Sequence, residues 1–265
     1  MKRLRALPTL LRVGFSEAVA YRAEFLVWVL TTNTPLIMLL VWSSVAREEP
    51  LAGRMGEQEL GAYFLAALIV RLLTGSWVVW DLVYEIRQGE IAMRLLRPIH
   101  PFVAYAAENV AAIPLRALMA LPIASAALFW LGSDQLSSDP LNWIFLPLSI
   151  AGAWLLTFFT MAAIGSLGFL WESTLSVYQL WLGLYFVLSG YTVPLELFPA
   201  VLGALIEWLP FRFLLSFPVE VMLGLIEREE MLTAFSVQWI YVLASAFLAQ
   251  FIWRVGLRRY AAYGG

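Results

Sequence analysis

Apolar residues run along most of this chain in blocks too long for strands and too evenly apolar for helices on a water-facing surface. Six blocks are long enough to cross a ~30 Å hydrocarbon layer at a rise of about 1.5 Å per residue. They lie roughly over 23–45, 60–84, 102–131, 141–171, 175–193 and 233–255. A different rhythm precedes them. Leu4, Leu7, Leu11, Phe15 and Ala18 recur every three or four residues, while Arg5, Thr9, Arg12 and Ser16 fall elsewhere on the cylinder. That pattern predicts an amphipathic helix lying in the membrane interface within residues 1–22, the alternative being a frayed basic tail. A secretory signal is not expected there, because Arg12 and Glu17 interrupt any apolar run.

The stretch 194–232 fits neither class. It is too apolar for an ordinary loop, and Pro194, Pro199, Pro210 and Pro218 break it. The apolar pieces 200–209 and 219–226 are too short to span. They predict a re-entrant helical hairpin dipping into the outer leaflet, the alternative being two helices resting on the headgroups. The expected fold is therefore an all-α integral membrane protein of six transmembrane helices. One membrane domain covers 1–265, with the interfacial helix in 1–22 and spans one to five in 23–193. The re-entrant extracellular region occupies 194–232, and the last span and a tail occupy 233–265.

Composition makes the membrane a requirement. Hydrophobic residues are 62% of the 265 and charged residues 14%, where a soluble domain carries about 45–50% and about 25%. A soluble core of this length cannot hide so much apolar surface, and disorder and coiled coil are excluded as well. The net charge of −2 says little, but its distribution is informative. Eleven basic residues fall in 1–22, 85–101 and 254–265: Lys2, Arg3, Arg5, Arg12, Arg22, Arg87, Arg94, Arg97, Arg254, Arg258 and Arg259. Only Arg47, Arg54, Arg212 and Arg228 fall in 46–59, 132–140 and 194–232. The positive-inside rule then places both termini, and the short turn at Glu172, in the cytoplasm.

The same counts exclude chemistries. The chain has no cysteine, and its one histidine is His100. No thiol nucleophile or histidine metal cluster is available. Its one lysine is Lys2, with no glycine-rich turn before it, so a phosphate loop for ATP cannot be built. His100 lies between two prolines without His, Cys or acidic neighbours and is expected to be a solvated loop residue.

The loop 85–101 is the most specific feature. Gly89 suits the end of a helix leaving the membrane, and Glu90 suits the first turn of a new one. Ile91 and Leu95 share a face at i, i+4, while Arg94 and Arg97 point elsewhere. Pro98 closes the piece. Such a short amphipathic helix fits a partner's groove, the alternative being a solvated loop whose charges only set topology.

Three patterns occur in order. The loop carries a charged residue, then Gly89-Glu90, an apolar residue, and Leu95-Leu96-Arg97-Pro98. After the fifth block comes Ser189-Gly190 with Pro194-Leu195 and Phe198-Pro199. Leu209-Pro210-Phe211 and Pro218 to Gly224 follow. Over essentially its whole length the chain resembles the permease subunits of type-2 ABC transporters, in the subgroup often encoded beside a second permease and a separate ATPase. The resemblance implies an ATP-driven permease, more often an exporter, forming its pathway as a homo- or heterodimer in a bacterial-type inner (cell) membrane. Cytoplasmic ABC ATPase subunits would be its partners, holding ATP and Mg, so that this chain binds no cofactor or metal, no nucleic acid, and is not an enzyme. It assigns Arg87, Gly89, Glu90, Ile91, Arg94, Leu95, Leu96, Arg97 and Pro98 to a loop that couples to the ATPase. Gly190, Pro194, Glu196, Phe198, Pro199, Pro210 and Pro218 fall in an extracellular gate, and 1–20 in a connecting helix.

Polar residues inside the blocks are the remaining candidates: Asn33, Arg71, Asp81, Glu108 and Arg116. Arg71 and Arg116 fall near mid-depth, where a charge costs roughly 2.5–3.5 kcal/mol on insertion scales and turns to a cavity or a partner. Substrate contact is one reading of the set. Pairing between helices, such as Arg116 with a carboxylate, or snorkelling is the other. Ala162, Gly165, Ser166 and Gly168 permit close helix approach. Trp42, Trp77, Trp143 and Trp208 are assigned to interface belts. A gradient-driven secondary carrier remains the alternative function, although no inverted repeat is visible. An intramembrane enzyme lacks an activated group, and a scaffold without transport is the blandest possibility.

Overall fold

A computed structural model describes residues 7–20, 34–48 and 55–260. The described elements are helical. In chain order they are α1 (Leu7–Ala20), α2 (Thr34–Glu48), α3 (Glu57–Thr74), α4 (Val78–Gln88), α5 (Ile91–Leu95) and α6 (Pro101–Ala111). Then come α7 (Ile113–Gly132), α8 (Pro140–Ser166), α9 (Thr174–Leu188), α10 (Ala200–Ile206), α11 (Ser216–Leu223) and α12 (Arg228–Arg259). Short 3-10 turns fill several of the joints.

Local chemistry sets the ends. Asp139 caps α8 by accepting from the Leu141 N–H at 2.9 Å, with Pro140 at the first helical position. Gly89 and Gly224 end α4 and α11 in the left-handed region, at φ 77° and 68°. α12 opens with Glu229 and Glu230 and closes with Arg258 and Arg259, the arrangement the helix dipole favours.

Among the described residues, three helical stretches are long and apolar enough to cross a membrane: Glu57–Gln88, Pro140–Phe169 and Arg228–Arg259. Thr34–Ala46 and Thr174–Leu188 are apolar but shorter. The first expected span is described only from residue 34 onward, and Asn33 lies outside the described residues. Two expected spans are interrupted. The second breaks at Gly75-Ser76-Trp77, where a Gly/Ser pair holds helix weakly and Gly75 is extended. The third divides at Ala112, because Pro114 has no N–H to continue the ladder.

The first stretch is the centre of the bundle: 83% of its most apolar window is buried, against 22% for the last stretch. α3 packs against α2, α7, α8 and α11 in one core cluster. A second cluster joins α4, α6, the end of α8 and Trp253 of α12. α12 lies along α8 and turns Ile240, Leu243, Phe247 and Phe251 outward. Such a face belongs against lipid or another apolar surface. α1 crosses α6 at Gly14, where a Cβ would stand 3.0 Å from the Glu108 Cα. The close approach foreseen at Gly165 is present, with Leu82 filling the space a side chain would take.

In the 194–232 stretch the two limbs differ. α11 is buried among α3 and α8 and tolerates Pro218 because that residue stands in its first turn. α10 stays outside, with Val201, Leu205 and Trp208 exposed.

Gln238 of α12 is fully buried and donates to the Ser149 and Phe213 carbonyls at 2.9 and 3.1 Å. A Cβ on Gly152 would stand 2.7 Å from its Oε1, whereas Gly183 faces open space. Gly152→Ala should therefore lower stability by about 1–3 kcal/mol. Gly183→Ala should be neutral or stabilising, since alanine is the better helix former by about 1 kcal/mol. Unfolding midpoints of the purified variants in one detergent check both.

Candidate functional site

The break in the second stretch is held by side chains from the third. Asn109 Oδ1 accepts from Ser76 Oγ at 2.9 Å and from the Trp77 N–H at 3.3 Å. Its amide nitrogen returns to the Tyr105 carbonyl at 2.9 Å. Arg116 donates to the Gly75 carbonyl at 2.7 Å and to the Asn109 carbonyl at 3.1 Å. Its guanidinium lies 4.8 Å from the centre of the Trp77 ring. One cation thus satisfies carbonyls freed at both breaks, where lipid could not. Arg116 is fully buried, and its partners are carbonyls and an aromatic face rather than the carboxylate offered as one example of pairing. Trp77 is correspondingly no belt residue; it lies half-buried beneath this arginine. Asn109 and Ser76 escaped the sequence reading; the Gly75-Ser76 pair within an apolar run was the available signal.

Below the break, α4 leads into the loop 85–101. Gly89 turns the chain, Glu90 stands at the N-cap of α5, and Ile91 is buried with Leu95 packed beside the same core. Arg94 does not face water. Its Nε donates to both oxygens of Glu85 at 2.8 and 2.7 Å, and its Nη1 donates to Glu108 at 2.7 Å. Tyr105 donates to Glu85 at 2.7 Å and presents its ring 4.2 Å from the guanidinium. Burial opposes the Arg94 charge, but its bonds to Glu108 and Glu85 prevail and hold its pKa above the ordinary arginine range. A half-buried, bidentate clamp of this kind fixes α5 to α4 and α6 at once. The outward surface of α5 and its exit is Glu90, Met93, Leu96, Arg97 and Pro98, with Met93 66% and Leu96 80% exposed. Arg87 reaches sideways to the Glu172 carbonyl, which sets the turn after α8 beside the loop.

A family model described as ABC-2 family transporter protein matches residues 58–264. The chain belongs to this family. No curated protein matches the chain. It is accordingly a permease of an ABC transporter, a membrane component that carries transport rather than catalysis.

Other candidates in this ABC-2 chain separate into two ends. At the loop end, His100 departs from the solvated residue expected. It is the N-cap of α6: its Nδ1 accepts from the Phe102 N–H at 3.1 Å, and its ring packs on Phe102 and Trp253. Asp81 sits half-buried on α4, one turn from Glu85. At the opposite end, Gly190 turns with φ 82° and its carbonyl accepts from Tyr63 at 2.9 Å. A Cβ there would stand 2.2 Å from the Tyr63 oxygen, so glycine is required twice over. Ser216 N–H, at the head of α11, donates to the Ser189 carbonyl at 3.2 Å. Pro194 and Pro218 are buried, Phe198 and Pro210 partly so, and Glu196 and Pro199 are exposed. Arg212, which no sequence motif flagged, grips Glu220 with two nitrogens and reaches Glu230 at 3.4 Å. It ties the region before α11 to the start of α12.

Burial, with Arg254 nearby, lowers the His100 pKa below the ordinary 6.5. The cap needs an unprotonated Nδ1, so its contribution is full above the unfolded value and fades as pH falls toward the lowered folded value. The wild-type unfolding midpoint should drop between about pH 7.5 and about pH 5. His100→Asn, which keeps a capping oxygen, should flatten part of that drop, measured by the same melts.

Proposed function

We propose that this permease is the membrane half of an ATP-driven exporter that pairs with a second copy or a related permease and is powered by a separate cytoplasmic ATPase. The observation that carries the reading is the construction of the 85–101 loop. Ile91 and Leu95 anchor it inward, Arg94 bolts it to α4 and α6, and Met93, Leu96 and Arg97 are left facing outward. That is a rigid peg with an apolar tip, suited to a partner's groove. ATP and Mg belong to the partner, in keeping with a chain whose one lysine has no phosphate loop.

In this reading, closure of the ATPase pair pushes on α5. Arg94 passes the load to Glu85 of α4 and Glu108 of α6. α4 is separated from α3 by the Gly75–Trp77 break, so it tilts as a short rigid body while α3 stays embedded in the core. The 194–232 stretch acts as the re-entrant outer gate, with α11 as its inserted limb. The loop, the Glu172 turn and the end of α12 gather at one end of the bundle, which the basic residues assign to the cytoplasm, with both termini and six spans. The break within the second stretch is the one observation favouring a gradient-driven carrier, since such carriers use broken helices. Family membership favours ATP coupling.

The test is retention of an ATPase by the tagged, membrane-extracted chain. Met93→Asp with Leu96→Asp should reduce retention by roughly tenfold or more, because an apolar anchor becomes charged, while the unfolding midpoint holds. Arg94→Gln should reduce both retention and midpoint, because Glu85 and Glu108 lose their counter-charge. Unchanged retention in the folded double variant sinks the docking assignment. Flux that persists without ATP and collapses with the ion gradient establishes the carrier instead.

A further inference from the structure

A guanidinium within an apolar bundle ordinarily meets a carboxylate, because its desolvation is otherwise uncompensated. At the Gly75 break two guanidiniums meet each other. A Cβ placed on Gly75 would stand 2.9 Å from Nη1 of Arg116 and 3.4 Å from Nη1 of Arg71. Arg71 is the charged neighbour of Arg116, and Arg71 itself hydrogen-bonds the Tyr191 hydroxyl, with Tyr185 and Tyr178 close by. Of the described carboxylates on α4 and α6, Glu85 and Glu108 hold Arg94, and Asp81 makes no ion pair with Arg71 or Arg116.

The two arginines are not equivalent. Arg116 has a structural task, for it bonds the Gly75 and Asn109 carbonyls. Arg71 lies 5.7 Å from the centre of the Tyr185 ring and keeps part of its surface exposed. Both carry a buried Nε without a hydrogen-bond partner. Two orphaned charged donors at one joint are rare in a native interior and are expensive unless something completes them. Like charges side by side raise that cost further, and an anion removes both penalties together. Tyr178, Trp181 and Tyr185 stack as a stripe along α9 that ends beneath Arg71, with ring centres 5.9 and 5.6 Å apart. The joint therefore offers cations on one side and apolar ring faces on the other.

We propose that Arg71 and Arg116 form a binding site for an oxyanion, the carboxylate or phosphate group of a ligand entering the break between α3 and α4. The planar guanidinium fork matches such groups and gives charge-assisted hydrogen bonds. The proposal rests on the permease reading for its meaning as substrate selection: the transported class would be anionic. It stands as a binding site without that reading.

The experiment uses the full chain in phosphatidylcholine nanodiscs, with the unfolding midpoint read against added dodecyl phosphate, dodecyl phosphocholine or inorganic phosphate at matched ionic strength. Dodecyl phosphate should raise the midpoint of the wild type and dodecyl phosphocholine should not, because its head is zwitterionic. Inorganic phosphate acting as well identifies a water-borne anion; the alkyl phosphate acting alone identifies an amphiphile. Arg71→Gln should raise the half-saturating concentration by roughly tenfold or more, and Arg71→Lys should weaken binding less. Arg116→Gln is a poorer probe because it also opens the joint. An equal shift in Arg71→Gln and wild type, or no shift with either phosphate, overturns the site. ATPase retention by the wild type separates the two readings: its absence defeats the ATP-coupled reading, while the midpoint shift alone decides the anion site.

Discussion

The bundle depends on one requirement: a backbone carbonyl freed inside an apolar medium needs a donor. Two neighbouring helices stop short of completion, at Gly75 and at Ala112. Arg116 serves both with a single guanidinium, and Asn109 serves the opposite end of the same gap. A charge at this depth is expensive in isolation. Here it replaces hydrogen bonds that neither lipid nor apolar side chains could supply. The helix interruption and the buried cation are therefore one feature, joined by the bonds from Arg116 to the Gly75 and Asn109 carbonyls.

That joint divides the molecule mechanically. On one side of it, α3 is packed on nearly all sides and shares a core with α11 and α8. On the other side, α4, α6 and the end of α12 share a second core through Leu82, Phe102 and Trp253. Arg94 sits at the far end of this second unit, held by carboxylates from the two helices that lead to the breaks. The loop and the joint are thus linked through short, well-packed helices, which transmit displacement better than they absorb it.

Much of this was legible in the chain. Long apolar blocks, sorted basic residues and the Gly89–Pro98 pattern sufficed for a helical membrane protein and for the family, because lipid imposes simple rules on length and polarity. The inward face of α5 was legible too, since Ile91 and Leu95 are one helical turn apart. The interruptions were not. Proline at 114 was visible, but whether it bends a helix or divides it depends on what replaces the lost bond, and that replacement comes from residues such as Asn109 and Arg116 in their final positions. The partners of Arg94 were hidden for the same reason: its place off the Ile91 face does not announce Glu85 and Glu108 until the fold brings them beside it. Arg212 and Glu220 illustrate the limit again, for nothing in their spacing announces a buried pair.

The length of α12 has a consequence of its own. Its 32 residues extend about 48 Å, well beyond a ~30 Å hydrocarbon layer. The helix must lean or project, and its charged ends, Glu229 and Glu230 above and Arg258 and Arg259 below, keep it from sinking. Because the Trp253 ring near one end packs against Phe102, Phe169 and His100 in tilted and edge-on contacts, any change in lean is felt by the second core. Bilayer thickness and the packing beside the 85–101 loop are therefore physically connected through the longest described helix.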